Sequence, residues 1–444
     1  MVRFAAALLV LFLTSSLQAA TYFVAPRGND RNVGSMQRPL KTIGAAVNKA
    51  KAGDQINVRG GTYRETVTIW EKAGRENAPI RLSHYLGEKA VIDGKGANAN
   101  GVVVIGRSSY IRIDGFEVRN GRNGGIYIYD SHHVTAIGNT VHDCGGGGIN
   151  AMASEKTPVG STHSIVISAN TVYHCVLSNR VRRKGKVWMQ AISAYRADRV
   201  EITNNHVYEN YGEGIDYIVS DNGTIRGNTI RDNFSINLYL DNAQSTTVDG
   251  NVIWCSAGQQ FRRGEGPPAG IMAANEHYAE QNPLNRLTIT NNIVVRCETG
   301  LSYWNGEHGG GLHNTVIANN LFYGTNYAML WLPGGNIHST TVVANNVFYQ
   351  KYGRPYAEAP DRGITYRNNA WFGGGDTATI KRGAGDVVTD PKLVNPGGGA
   401  VTDYKLQSGS PLIDAGSTDG APTDFFGTRR ADRGKRRDIG VHEY

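Results

Sequence analysis

Three carboxyl groups stand close together in the chain, on Glu213, Asp216 and Asp241. Brought side by side, carboxylates either bind a hard cation such as Ca²⁺ or divide into the acid and base that cleave a glycosidic bond. Glu213, Asp216 and Asp241 are thus the candidate metal ligands, and Asp216 and Asp241 are candidate catalytic groups. Arg231, Tyr239, His206 and His277 lie in or near the same stretch. A β-elimination from a uronate needs a cation at the carboxylate, a base for the C5 proton and an acid for the leaving oxygen. Arg231 suits the first role, since arginine normally keeps its proton. Tyr239, His206 and His277 suit the other two.

These residues belong to a repeat, and the repeat dictates the elements that position them. A turn asparagine followed by apolar residues recurs at Asn139, Asn170, Asn205, Asn228, Asn251, Asn292, Asn320, Asn346 and Asn369. The intervals are 31, 35, 23, 23, 41, 28, 26 and 23 residues, a base period of 23 with insertions. Thirteen residues before the asparagine comes an apolar residue, usually after glycine, as in Gly125-Ile126, Ala191-Ile192, Gly214-Ile215 and Asn237-Leu238. The short alternating segments read as strands. They are too short to bury a face alone, so rungs must stack about 4.8 Å apart and share a core. The period is too short for a propeller blade of roughly 40 residues. The predicted fold is all-β, a single right-handed parallel β-helix. The asparagines read as structural, tolerating a left-handed turn and stacking their amides from rung to rung.

Registering the rungs turns outward residues into columns. The position after the apolar residue gives Tyr127, Asn150, Ser193, Asp216, Tyr239, Met272 and Ser302. Two further on come Tyr129, Met152, Tyr195, Ile218, Asp241, Ala274 and Trp304. Three after the asparagines come His142, Tyr173, Tyr208, Arg231 and Trp254. Asp216 and Asp241 then occupy consecutive strands with backbones about 8 Å apart. Aromatic rings interleaved with charge suit an oligosaccharide, which has apolar faces and hydroxyl edges. Tyr127, Tyr195, Tyr208, Trp254 and Trp304 are the candidate contacts. Inserts at 151–163, 176–188, 257–268, 273–285 and 302–313 are expected to rise as walls on one side. They carry Arg180, Arg182, Arg183, Lys184 and Lys186, then Arg262 and Arg263. Arg183 and Arg262 are the candidate contacts to a polyanion.

Residues 1–20 read as a secretory signal, with Arg3, an apolar run over 4–13, and small residues up to Ala20. The run is too short to span a bilayer, and no later stretch is long and apolar enough. The expected location is secreted or periplasmic. The formal charge is +8, or +7 once Arg3 leaves (8 − 1). That excess suits an acidic polysaccharide or oligosaccharide partner, and export argues against nucleic acid. Cys144, Cys175 and Cys297 follow their asparagines by five residues, and Cys255 by four. Cys144 and Cys175 are stack neighbours whose pairing an oxidising compartment permits, with small core residues as the preferred role. No zinc spacing is present.

The segment 21–68, with a helical stretch over 43–52 and the turn GGTYRE, resembles the opening of secreted β-helix carbohydrate enzymes, nearest to family 9 pectate lyases. The C-terminal DYKLQSGSPLIDAG, DFFGTRR and DIGVHEY are similar to their far end. A coil exposes strand edges and core at its ends, so caps are physically required. The chain divides into the signal 1–20, an N-terminal cap and first strands 21–90, rungs 91–380, and a C-terminal cap 381–444. The resemblance implies a calcium-holding acidic cluster matching Glu213 to Asp216, with a lysine base downstream. The chain departs there: Gly212 stands where a second acid is expected, and no lysine occurs between Lys186 and Lys351. In other β-helix lyases an arginine is the base, a role open to Arg231. The expected function is a polysaccharide lyase cleaving a uronate polymer by β-elimination, with Ca²⁺ or Arg231 neutralising the carboxylate. The alternatives are a glycoside hydrolase using Glu213, Asp216 and Asp241, a C5-epimerase, or a non-catalytic carbohydrate-binding β-helix, since one scaffold hosts all of them.

Overall fold

The structure, a computed structural model, describes residues 19–180, 188–256, 261–264, 266–277, 283–305, 310–333, 337–350, 357–358, 362–374, 382–431 and 436–444. Most of the expected signal, and Arg183 among the expected contacts, lie outside these residues.

Each rung gives one strand to each of three sheets, of thirteen, eleven and thirteen strands. The first sheet starts at Thr21–Val24, the second at Val67–Trp70 and the third at Gly61–Tyr63. Neighbouring strands run parallel, the geometry of a parallel β-helix. Its cause is visible in the second sheet, where Ile126, Ile149, Ile192, Ile215, Leu238, Ile271 and Leu301 stack in register. All seven are fully buried, and each such burial contributes about 1.5–3 kcal/mol. No helix among the described residues is long and apolar enough to cross a membrane.

The corner asparagines form a buried amide ladder. Asn205 donates its backbone N–H (2.9 Å) and its Nδ2 (3.0 Å) to Asn228 Oδ1, and Asn228 repeats this to Asn251 at 3.0 and 2.9 Å. The pattern runs from Asn139 to Asn369. The left-handed residue is not the ladder asparagine, as expected from its type, but the residue before it: Gly138, Ala169, Asn204, Gly227 and Gly250 have φ between 54° and 65°. The ladder asparagine is required for its amide, which satisfies two buried backbone groups of the preceding rung, the Asn205 N–H and the Ile202 carbonyl in the case of Asn228.

The helix spans Ile43–Lys49, shorter than the 43–52 expected. Ala50 is extended, and Asp54 takes over the chain beyond it by accepting Lys51 N at 2.9 Å and Ala20 N at 2.7 Å. Glu65 of the GGTYRE turn accepts the helix's first N–H groups, from Ile43 and Gly44, and Ile43, Ala46 and Val47 close the core. At the other end Tyr404, Leu406, Leu412, Ile439 and Val441 pack against Ile293, Leu321 and Val347 on the outside of the third sheet. Cys144 and Cys175 are buried and unpaired with each other. The disulfide joins Cys255 to Cys297, whose Cα atoms lie 4.8 Å apart on adjacent rungs. The one-residue offset of Cys255 from its column hid this partner in the sequence.

Candidate functional site

The outward face of the second sheet carries the expected columns. Asp216 pairs with Ser193 on one side and Tyr239 on the other. Asp241 pairs with Ile218 and Ala274, so it lies on the next strand, displaced from Asp216 by two residues. Ile215, Tyr217, Leu238 and Leu240 alternate with them into the core. Glu213 joins the same face although it is three residues from Asp216. A Cβ on Gly214 would meet Asn237 O at 2.3 Å and Asn233 Nδ2 at 2.8 Å, so Gly214 and Ile215 both face inward. The residues flanking them therefore both face out.

Glu213, Asp216 and Asp241 line a cleft of about 800 Å³ together with Ser193, Gln190, Tyr239 and Glu276. Its apolar surface comes from Met152, Trp188, Tyr195, Met272 and Trp304. Three of these residues come from the expected wall inserts: Trp188, Glu276 and Trp304. The insert residue Arg263 stacks over the Trp188 ring at 3.4 Å, joining two walls. Tyr239 packs among Ile236, Ala269 and Ala274 and donates its hydroxyl to Glu276. Glu276 is itself placed by donating its backbone N–H to Asn242 Oδ1 at 2.7 Å.

The acids are held far from water. Asp216 and Asp241 are each 1% exposed and Glu213 is 4% exposed. Burial pushes the Glu213 carboxyl up to about 7, with Glu276 adding to the shift while Gln190, Asp216 and Arg263 oppose it. Burial, then the neighbouring Glu213 and Asp241, drive Asp216 well above the usual carboxylate range. Glu213 and Asp216 stand within hydrogen-bonding reach of each other, and a proton on either carboxyl would let them bond. Gln190 donates Nε2 to Glu213 Oε2 at 3.3 Å, and Asp216 Oδ1 is buried with no hydrogen-bond partner among the described residues. A proton-donating dyad on a desolvated cleft floor can protonate a leaving group.

Among the described residues no three His, Cys, Asp or Glu side chains are placed to hold a metal ion. Glu213 and Asp216 turn toward each other, and Asp241 lies on the next strand.

Several expected site residues lie elsewhere. Arg231 and His206 belong to the third sheet, with Tyr208 and Trp254 as neighbours of Arg231. Arg231 is bound to Glu209 at 2.8 Å and to Asp232 at 3.2 Å, and lies 4.6 Å over Tyr208. Trp254 packs against Tyr404 of the C-terminal segment. The rung turns a corner at Asn233 between Arg231 and the second-sheet strand, so axial proximity to Asp216 does not put Arg231 in the cleft. Tyr127 is buried, its hydroxyl bonded to Asn123 O at 3.0 Å and Gly147 N at 3.2 Å, and does not line the cleft. Arg262 donates to Ser256 O at 3.1 Å and His277 is exposed; neither lines the cleft. Tyr195, Trp304, Tyr239, Asp216, Asp241 and Glu213 do. Gln190 and Glu276 were missed, though both were readable. Gln190 is the stack neighbour of Glu213, one period earlier. Glu276 continues the alternation of Met272 and Ala274 by one more step.

Coiled rungs around one apolar core, with an acid-floored cleft on one sheet, define a parallel β-helix protein of the carbohydrate-active type. The family model described as "Pel9A-like, right handed beta helix region" matches residues 22–253, and a general right-handed β-helix model matches 160–348. The chain belongs to the Pel9A-like right-handed β-helix family. It is 26% identical over 337 residues, 68% of each chain, to the uncharacterized protein YwoF of Bacillus subtilis. It is also similar to pectate lyase PEL9 of Emericella nidulans, 42% identical over 84 residues, which span 19% of this chain and 20% of that one. Among solved structures, XylC in complex with xylose superposes with a TM-score of 0.65 at 16% identity, covering 95% of this chain and 98% of that one. Pectate lyase Pel9A gives 0.52 at 19% identity, with 97% and 98% covered. Both likenesses are of fold.

Proposed function

We propose that this protein is an exported glycoside hydrolase whose proton donor is the Glu213–Asp216 pair and whose second carboxyl group is Asp241. The observation that carries the reading is the burial of all three on one cleft floor, which favours a proton held by the Glu213–Asp216 pair. In the proposed step this proton passes to the glycosidic oxygen as the bond to the anomeric carbon breaks. Asp241 takes a proton from the water that adds to that carbon. Asp241 stands on the next strand and two residues further along, which sets it apart from the pair, as the two carboxyl groups of inverting enzymes are set apart to admit a water. A pentose-bound relative in fold, XylC, and the Cys255–Cys297 disulfide, which suits an oxidising compartment, support a sugar ligand and export respectively.

Elimination is the second reading, favoured by membership of the Pel9A-like family. It asks for a cation and a base at the uronate, whereas the described cleft lining holds one cation, Arg263, and no lysine or histidine. One assay separates them. The mature protein is incubated with neutral and uronate polysaccharides, with and without EDTA, while reducing ends and the ultraviolet absorbance of an unsaturated uronate are followed. New reducing ends without absorbance, unchanged by EDTA, are expected. Absorbance that grows with cleavage would replace this reading with a lyase, and its loss in EDTA would restore calcium to the site.

A further inference from the structure

The cleft lining carries four carboxyl groups, on Glu213, Asp216, Asp241 and Glu276, against one cation among its described residues, Arg263. That guanidinium is already engaged, lying 3.4 Å over the Trp188 ring. The rings and thioethers of Met152, Tyr195, Met272 and Trp304 offer a surface for the apolar face of a sugar. A substrate carboxylate on that surface would meet Glu276 in a partly desolvated space, where repulsion between like charges is weakly screened. Three of the acids are fully buried beneath the floor, while Glu276 is partly exposed. The Tyr239 hydroxyl donates to the Glu276 carboxyl and Asn242 Oδ1 accepts its backbone N–H, which together hold Glu276 at the cleft.

Resting on the hydrolase reading, we infer that the cleft takes an uncharged sugar, and that Glu276 is the specificity residue that turns uronates away. The inference runs against the acidic partner that the net charge of the chain suggests. Whole-chain charge governs encounter, whereas selection belongs to the groups that meet the ligand.

The test is binding, read independently of cleavage. Saturation-transfer NMR on the wild-type protein would compare glucose with glucuronate, galactose with galacturonate, and mannose with mannuronate. At least one neutral sugar is expected to bind, with its uronate at least about tenfold weaker, and Glu276→Gln should narrow that gap. A uronate that binds as tightly as its neutral counterpart, or a panel in which no neutral sugar binds, overturns the inference. An unchanged gap in folded Glu276→Gln removes the role of Glu276. Neutral binding without release of reducing ends would instead overturn the hydrolase reading and leave the ligand class standing.

Discussion

At the scale of single residues, the proposed chemistry depends on a proton that burial keeps in place. Burial pushes Glu213 up to about 7 in the folded chain, against an ordinary glutamate value of about 4.3. Between those values the unfolded chain has released its proton and the folded chain has not, so stability must fall as pH rises through that window. The fall should be about 3 kcal/mol, seen as a lower urea midpoint at pH 8 than at pH 5. Glu213→Gln should remove this share of the fall and leave the share that the raised Asp216 contributes, and an unchanged slope in that variant would place the titration elsewhere. Asp216→Asn should lower kcat by about 10²–10⁴-fold with the fold intact by circular dichroism. Arg231→Ala, on the third sheet and paired with Glu209 and Asp232, should leave kcat/KM within about twofold, less than 0.5 kcal/mol of barrier. A large loss there would return Arg231 to the centre.

At the scale of elements, the corner ladder holds the strands in the register that makes the columns. Replacing Asn228 by Ala leaves the Asn205 backbone N–H and Nδ2 without their acceptor. Buried donors abandoned in this way cost about 1–3 kcal/mol each, so Asn228→Ala should destabilise by about 2–5 kcal/mol in urea unfolding. A change below about 0.5 kcal/mol, the range of ordinary surface substitutions, would mean the ladder is only incidental. Gly214→Ala should injure fold and site together, because its inward Cβ would collide with Asn237 O and displace the strand that carries Glu213. The expected readout is a lower unfolding midpoint, by about 1–3 kcal/mol, together with lower kcat.

At the scale of the whole molecule, what was legible in the sequence follows from what a period records. A repeat of 23 residues fixes position along the axis and the in-or-out sense of each strand residue. The columns through Asp216, Tyr239 and Asp241 therefore match the observed pairing. It does not record the angle around the coil, which is why Arg231, His206, Tyr208 and Trp254 were set beside acids that face a different sheet. Inserts interrupt the period, so the stacking of Arg263 on Trp188 left no signal, and Cys255, displaced by one residue at the start of an insert, concealed its bond to Cys297. The same stacking of rungs is what removes Glu213 and Asp216 from water. The most direct measurement of that consequence is a carbon-13 NMR titration of glutamate side-chain carboxyls in the folded protein. One resonance with a midpoint near 7, absent from Glu213→Gln, is the expected result. Midpoints that all fall near the ordinary value of about 4.3 would contradict a buried, proton-holding pair.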